Sequence, residues 1–213
     1  PEERVLLVMH DTTDLPVAFL GALYAGVVPV VANTLLTPAD YTYMLDHSRA
    51  RAVIATGALL PTITQALADT SDEGCVLIVS QPQDADLQGE HVFRRMIEES
   101  TPRTTPWASL ADDIAFWLYS SGSTGKPKGT VHTHANLYWT AELYGKRVLG
   151  IREDDVVYSA AKLFFAYGLG NALTFPLSVG ATAILMAGRP TPEAVFAQLT
   201  RHRPTIFYSV PTL

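Results

Sequence analysis

One cysteine, Cys75, is all that the 213 residues contain. An internal disulfide framework is excluded, and a reducing, cytoplasmic setting is the expectation. Cys75 opens the apolar run Cys75-Val-Leu-Ile-Val79, where it reads as a small strand hydrophobe rather than a reactive thiol. A basic excess is lacking as well. The chain carries 15 Lys and Arg against 21 Asp and Glu, a formal net charge of −6. Nucleic acid is thereby disfavoured as a partner, since a polyanion needs a positive field. No apolar stretch reaches the length of a membrane span and no secretory leader is visible, so no membrane partner is expected. Lysine itself is scarce, with four in the chain: Lys126, Lys128, Lys146 and Lys162.

What is plentiful is apolar. Hydrophobic residues make up 48% and charged residues 17%, enough for a sizeable core. Short β-branched runs alternate with helix-length amphipathic segments. The pattern predicts strands over 4–9, 27–31, 52–55, 76–80, 114–119, 156–159, 181–186 and 205–210, and helices over 15–25, 39–48, 59–67, 135–148, 170–179 and 192–201. Thr37-Pro38 and Thr191-Pro192 each place a capping threonine before a proline suited to a first helical turn. Gly26 and Gly180 stand where helices should end. The alternation implies an α/β fold of mostly parallel sheets covered by helices. The least regular stretch, 81–106, offers one short helix over 91–99 and is the expected connection between two halves. The chain starts at Pro1 and stops directly after an apolar run, so a piece of a longer enzyme is expected.

The chemistry concentrates in Tyr119-Ser-Ser-Gly-Ser-Thr-Gly-Lys-Pro-Lys-Gly129, which follows an apolar strand. Half of the chain's lysines fall in this one turn. Gly122, Gly125 and Gly129 allow positive φ and a close backbone approach to a ligand. Consecutive N–H groups can form an anion-binding nest. Ser120, Ser121, Ser123 and Thr124 add hydroxyl donors, and Lys126 and Lys128 add mobile positive charge. The spacing is not that of a Walker A loop, because Gly125-Lys126 is followed by Pro127. No GxGxxG follows a strand, so a dinucleotide fold is disfavoured too.

That segment resembles the phosphate-loop signature of the adenylate-forming superfamily, the acyl- and aryl-CoA synthetases, luciferases and peptide-synthetase adenylation domains. Val131-His-Thr-His-Ala-Asn136, Phe19-Leu-Gly-Ala-Leu-Tyr-Ala-Gly-Val-Val-Pro-Val30 and residues 37–54 are similar to the family as well. The resemblance implies a partial N-terminal AMP-binding domain over residues 1–213, without the C-terminal lid domain. It implies that a carboxylate attacks the α-phosphorus of ATP, releasing pyrophosphate, and that the thiol of coenzyme A then displaces AMP. The loop residues Ser120, Ser121, Gly122, Ser123, Thr124, Gly125, Lys126, Lys128 and Gly129 would hold the β- and γ-phosphates. Thr124 and Lys128 would take the catalytic part, with Mg2+ screening charge. Adenine- and magnesium-binding motifs and a C-terminal lysine belong to later parts of the family's sequence, so the chain alone is expected to be inactive.

A second segment, Ala161-Lys-Leu-Phe-Phe-Ala-Tyr-Gly-Leu-Gly-Asn171, resembles the benzoate–CoA ligase branch. Many relatives carry a histidine where this chain has Phe165. The more apolar version suits a flat aromatic acid against Phe165, Ala166, Tyr167 and Gly168. An adenylating enzyme for other acids (a fatty-acyl ligase or a peptide-synthetase domain) and a non-catalytic phosphate-binding module stay open. Lys162 reads either as an attractor of an anion or as a surface lysine. His132 and His134 lack nearby ligands for a metal, and none is expected. His10, His47, His91 and His202 read as surface or edge residues, and Asp112-Asp113 and Glu153-Asp154-Asp155 as turns before strands.

Overall fold

The computed structural model describes residues 2–71, 74–83, 91–120 and 125–211. They divide into two compact units, residues 1–10 with 17–132 and residues 11–16 with 133–213.

The first unit is built on a sheet in which seven strands are described, in the order β5-β4-β3-β1-β2-β6-β7. The strands are β1 (Arg4–Val8), β2 (Val28–Val31), β3 (Ala50–Thr56), β4 (Val76–Ser80), β5 (His91–Val92), β6 (Ile114–Ser120) and β7 (Lys128–Thr133). The pairings β1–β2, β1–β3, β2–β6, β3–β4 and β4–β5 are parallel. Parallel neighbours need a crossover, and the helices α1 (Asp14–Ala25), α2 (Pro38–Ser48) and α3 (Leu60–Ala68) supply three of them. Leu6, Leu7 and Val8 of the central strand are fully buried, so β1 reads as an unbroken apolar run rather than an alternating one. Tyr41, Met44 and Ile63 close the core over this sheet.

Helix α2 starts where the threonine–proline pair predicts. The Thr37 hydroxyl accepts the Asp40 N–H at 3.3 Å, and the Asp40 carboxylate accepts the Thr37 N–H at 3.0 Å. Gly26 and Gly180 end their helices at φ 73° and 79°, in the left-handed region.

The described residues of 81–106 belong to the first unit, which extends to residue 132. The reason is pairing. Residues 91 and 92 form β5 against Ile78 and Val79 rather than beginning a helix, and α4 (Phe93–Glu99) follows. Beyond this stretch, the Trp107 N–H donates to the Tyr24 carbonyl at 2.8 Å.

The second unit holds a parallel sheet ordered β10-β8-β9, from β8 (Val156–Ser159), β9 (Thr182–Ile184) and β10 (Ile206–Tyr208). Both outer strands are shorter than the apolar runs that predict them. Helix α5 (His134–Thr140) continues as a π-helical stretch, Ala141–Leu149. Then come α6 (Ala166–Leu169), a π-helical turn Gly170–Thr174, α7 (Phe175–Val179) and α8 (Pro192–His202). The helical path thus starts at Ala166, four residues before the sequence pattern places it. Gly168 and Gly170 disguise the start, because glycine is a poor helix former; packing overrides that propensity here.

Candidate functional site

The phosphate-loop candidate is anchored at both ends by neighbouring strands. Strand β6 runs to Ser120, and β7 begins at Lys128. Ser121, Gly122, Ser123 and Thr124 lie outside the described residues. Ser120, Gly125, Lys126 and Lys128 are exposed, and Gly129 is half-buried. Gly125 has φ 95°, a conformation that favours glycine. Gly129 is not in the left-handed region. Its glycine has a different cause, because a Cβ there would sit 3.1 Å from the Trp117 ring.

An aromatic bracket supports the loop from α2. His47 Nδ1 and the Tyr119 hydroxyl are 2.8 Å apart, one hydrogen bond whose direction follows the imidazole tautomer. His47 stacks on Tyr43 at 5.3 Å and meets Trp117 edge-on at 6.1 Å. The Lys126 ammonium lies over the Tyr43 ring, 5.1 Å from its centroid, a cation–π contact. Burial, with a smaller push from Tyr43, raises the Tyr119 phenol above its ordinary range, so it stays protonated. Sequence reading placed His47 among the surface residues and missed Tyr43. The available signal was their spacing of four on α2, which puts both on one helix face.

The aromatic turn follows β8 in the second unit. Leu163 and Phe164 are buried, while Phe165, Ala166 and Tyr167 are exposed. The two large rings are 50% and 48% exposed, a conspicuous apolar rim on a buried base. Gly168 is buried, and a Cβ at this position would lie 2.0 Å from the Lys162 carbonyl oxygen. Its role in this arrangement is close packing of the backbone.

Lys162 is half-buried and donates to the carbonyls of Met186, Ala187 and Gly188. Burial lowers its pKa, opposed by the nearby Asp11 carboxylate. Asp11 is 6% exposed, and burial pushes its carboxyl up to about 6, against the pull of Lys162 and the Leu163 N–H. Asp11 was missed in the sequence, although it sits just beyond the carboxyl end of β1, where parallel sheets place functional groups.

His132 lies flat on Phe116, with centroids 4.6 Å apart and planes 7° apart, and burial lowers its pKa. The carboxylate pairs serve turns: Asp113 accepts the Leu110 N–H at 2.8 Å, and Asp155 accepts the Arg152 N–H at 2.8 Å. Among the described residues no group of three or more His, Cys, Asp or Glu could hold a metal ion, and no helix is long and apolar enough to cross a membrane.

A mostly parallel, helix-covered sheet with a glycine–serine–lysine turn between β6 and β7 has the architecture of the N-terminal domain of adenylate-forming enzymes. The chain belongs to the AMP-binding enzyme family, whose profile matches residues 1–213. It is 53% identical to a benzoate–CoA ligase of Thauera aromatica, over its whole length and 39% of that relative's. A crystal structure of a benzoate CoA ligase from Burkholderia xenovorans LB400 superposes with a TM-score of 0.92 at 69% identity, covering 100% of this chain and 41% of that one. An anthranilate CoA ligase in complex with anthranoyl-AMP superposes with a TM-score of 0.93 at 35% identity, covering 99% of this chain and 40% of that one. The chain thus spans about two fifths of the length of these relatives.

Proposed function

We propose that this chain is the phosphate-gripping and acid-recognising part of a longer aryl-acid–CoA ligase. The observation that carries the proposal is the exposed Phe165-Ala166-Tyr167 rim, in a chain 53% identical to a benzoate–CoA ligase. Flat apolar rings offer a benzoate-like ring a surface that hydrogen-bonding groups would not.

In this reading, the acid's carboxylate attacks the α-phosphorus of ATP and pyrophosphate departs. The Gly125 backbone, the Ser120 hydroxyl and the ammonium groups of Lys126 and Lys128 face the departing charge, with Ser121, Gly122, Ser123 and Thr124 completing the loop. Donors held ready for charge that develops late in a step stabilise the transition state more than the ground state. Lys126 reaches the phosphates by leaving the Tyr43 face. Mg2+ would screen phosphate charge, but loop 119–129 contains no Asp or Glu, so no ligand for it is assigned in this chain. The thiol of coenzyme A then displaces AMP from the acyl adenylate. The acid, ATP and coenzyme A are the partners, and a cytoplasmic setting is part of the proposal. The 213-residue chain alone does not turn over in this reading.

Acid-dependent ATP–pyrophosphate exchange in the longer enzyme carrying this chain tests the proposal, with benzoate, 2-aminobenzoate and a medium-chain fatty acid as substrates. Exchange on the aromatic acids is expected. Exchange on the fatty acid alone would overturn the aryl assignment, and exchange by the 213-residue chain alone would overturn its dependence on the rest.

A further inference from the structure

The turn 161–168 is held by groups remote in sequence. The Asp11 carboxylate accepts the Leu163 N–H at 3.4 and 3.2 Å, across 152 residues of chain. Lys162 sends its ammonium to the segment after β9, with the Gly188 carbonyl at 2.6 Å, Ala187 at 3.5 Å and Met186 as the third acceptor. The turns after two adjacent parallel strands, β8 and β9, are thus tied together by one side chain. The Lys162 carbonyl is the hub on the other side. It accepts the Phe165 N–H at 3.0 Å and abuts Gly168, whose Cβ position would be 2.0 Å away. Any shift of residue 162 therefore passes directly to Phe165 and, through Gly168, to Tyr167.

A lysine with its ammonium turned to backbone carbonyls does not attract a substrate anion. Its charge is used on backbone dipoles beyond the end of β9, in a half-buried place where such bonds strengthen. We propose that Lys162 is a positioning residue for the aromatic acid. It fixes the stance of the Phe165 and Tyr167 rings, with Asp11 as the counter-anchor on Leu163. The inference rests on these rings forming the acid-binding wall. Positioning matters at this scale, since a displacement of about 1 Å can cost roughly a hundredfold in rate.

The test uses the longer enzyme and compares Lys162→Met, Lys162→Gln and Phe165→Ala by ATP–pyrophosphate exchange. Lys162→Met keeps the length and removes every donor. Its expected effect is a rise of about tenfold in KM for benzoate, with KM for ATP unchanged within about twofold. Lys162→Gln keeps part of the bonding, with a rise of about threefold expected, and decides the matter if the methionine variant does not fold. Discrimination between benzoate and 2-aminobenzoate should narrow in both variants, a readout that loss of stability alone does not move. If Phe165→Ala raises KM for benzoate while neither Lys162 variant does, the positioning role is overturned and the wall stands. If Phe165→Ala leaves KM for benzoate unchanged, the wall assignment itself fails. A parallel rise in KM for ATP in the Lys162 variants would also overturn the specific role.

Discussion

The two candidate turns, one in each unit, get their order from different sources. Loop 119–129 is built from residue types that act where they stand: glycines, hydroxyls and two lysines between adjacent strands, with neighbours on α2 for support. Turn 161–168 carries its character in aromatic rings, but its shape is set by Asp11 and by the carbonyls of 186–188. A phosphate group can be gripped by local backbone and mobile charge. A flat ring has to be met by surfaces at a set angle, and angles come from packing. One glycine from each turn marks the same contrast. Gly125 is required for its φ of 95°, whereas Gly168 is required for the carbonyl that crowds it.

Four perturbations test that contrast. The largest effect is expected for Lys128→Ala in the longer enzyme. Loss of a donor to developing charge should lower the pyrophosphate-exchange rate by about 10²- to 10³-fold, with unchanged melting temperature. A change under about threefold would remove Lys128 from the catalytic part.

Gly168→Ala should act on folding instead. Overpacking against the Lys162 carbonyl is expected to cost about 3 kcal/mol in denaturant unfolding. A neutral result would mean that the turn relaxes easily, against the rigid stance argued for it.

Asp11 gives a pH signature. Its folded carboxyl sits at about 6 against an ordinary 3.8, so the folded state holds the proton more tightly. Its favourable contribution is therefore complete below pH 3.8 and is lost as pH rises through about 6. Asp11→Asn keeps an acceptor for Leu163 and removes that titration. The variant should gain on the parent by about 2 to 3 kcal/mol between pH 4 and pH 7. Parallel stability curves over that range would contradict the buried carboxyl.

The smallest effect is expected at the loop's support. Tyr119→Phe deletes the hydrogen bond to His47, for a loss of about 1 kcal/mol in unfolding free energy. A much larger loss would show that the loop, like the aromatic turn, depends on its tertiary anchor.

Most of the architecture was legible because parallel sheets demand long apolar runs and capped helices between them. The Thr37 and Thr191 caps, strand β4 and strand β8 fall where the pattern puts them. Strand β5 was not legible, since two residues carry no periodicity and only the edge of β4 makes them a strand. In the stretch 81–106 the polar composition suggests a connection, and pairing makes residues 91 and 92 an edge strand of the first unit.

By itself, the sequence determined the α/β class, the glycine, serine and lysine content of loop 119–129 and the aromatic character of the second turn, because these reside in residue type and local spacing. Tertiary structure alone decided that His47 holds Tyr119, that Lys126 rests on Tyr43, and that Lys162 and Asp11 grip the turn beneath Phe165. Those contacts join positions that are distant along the chain, in the last case by 152 residues, and no local pattern records which strand ends the fold brings together.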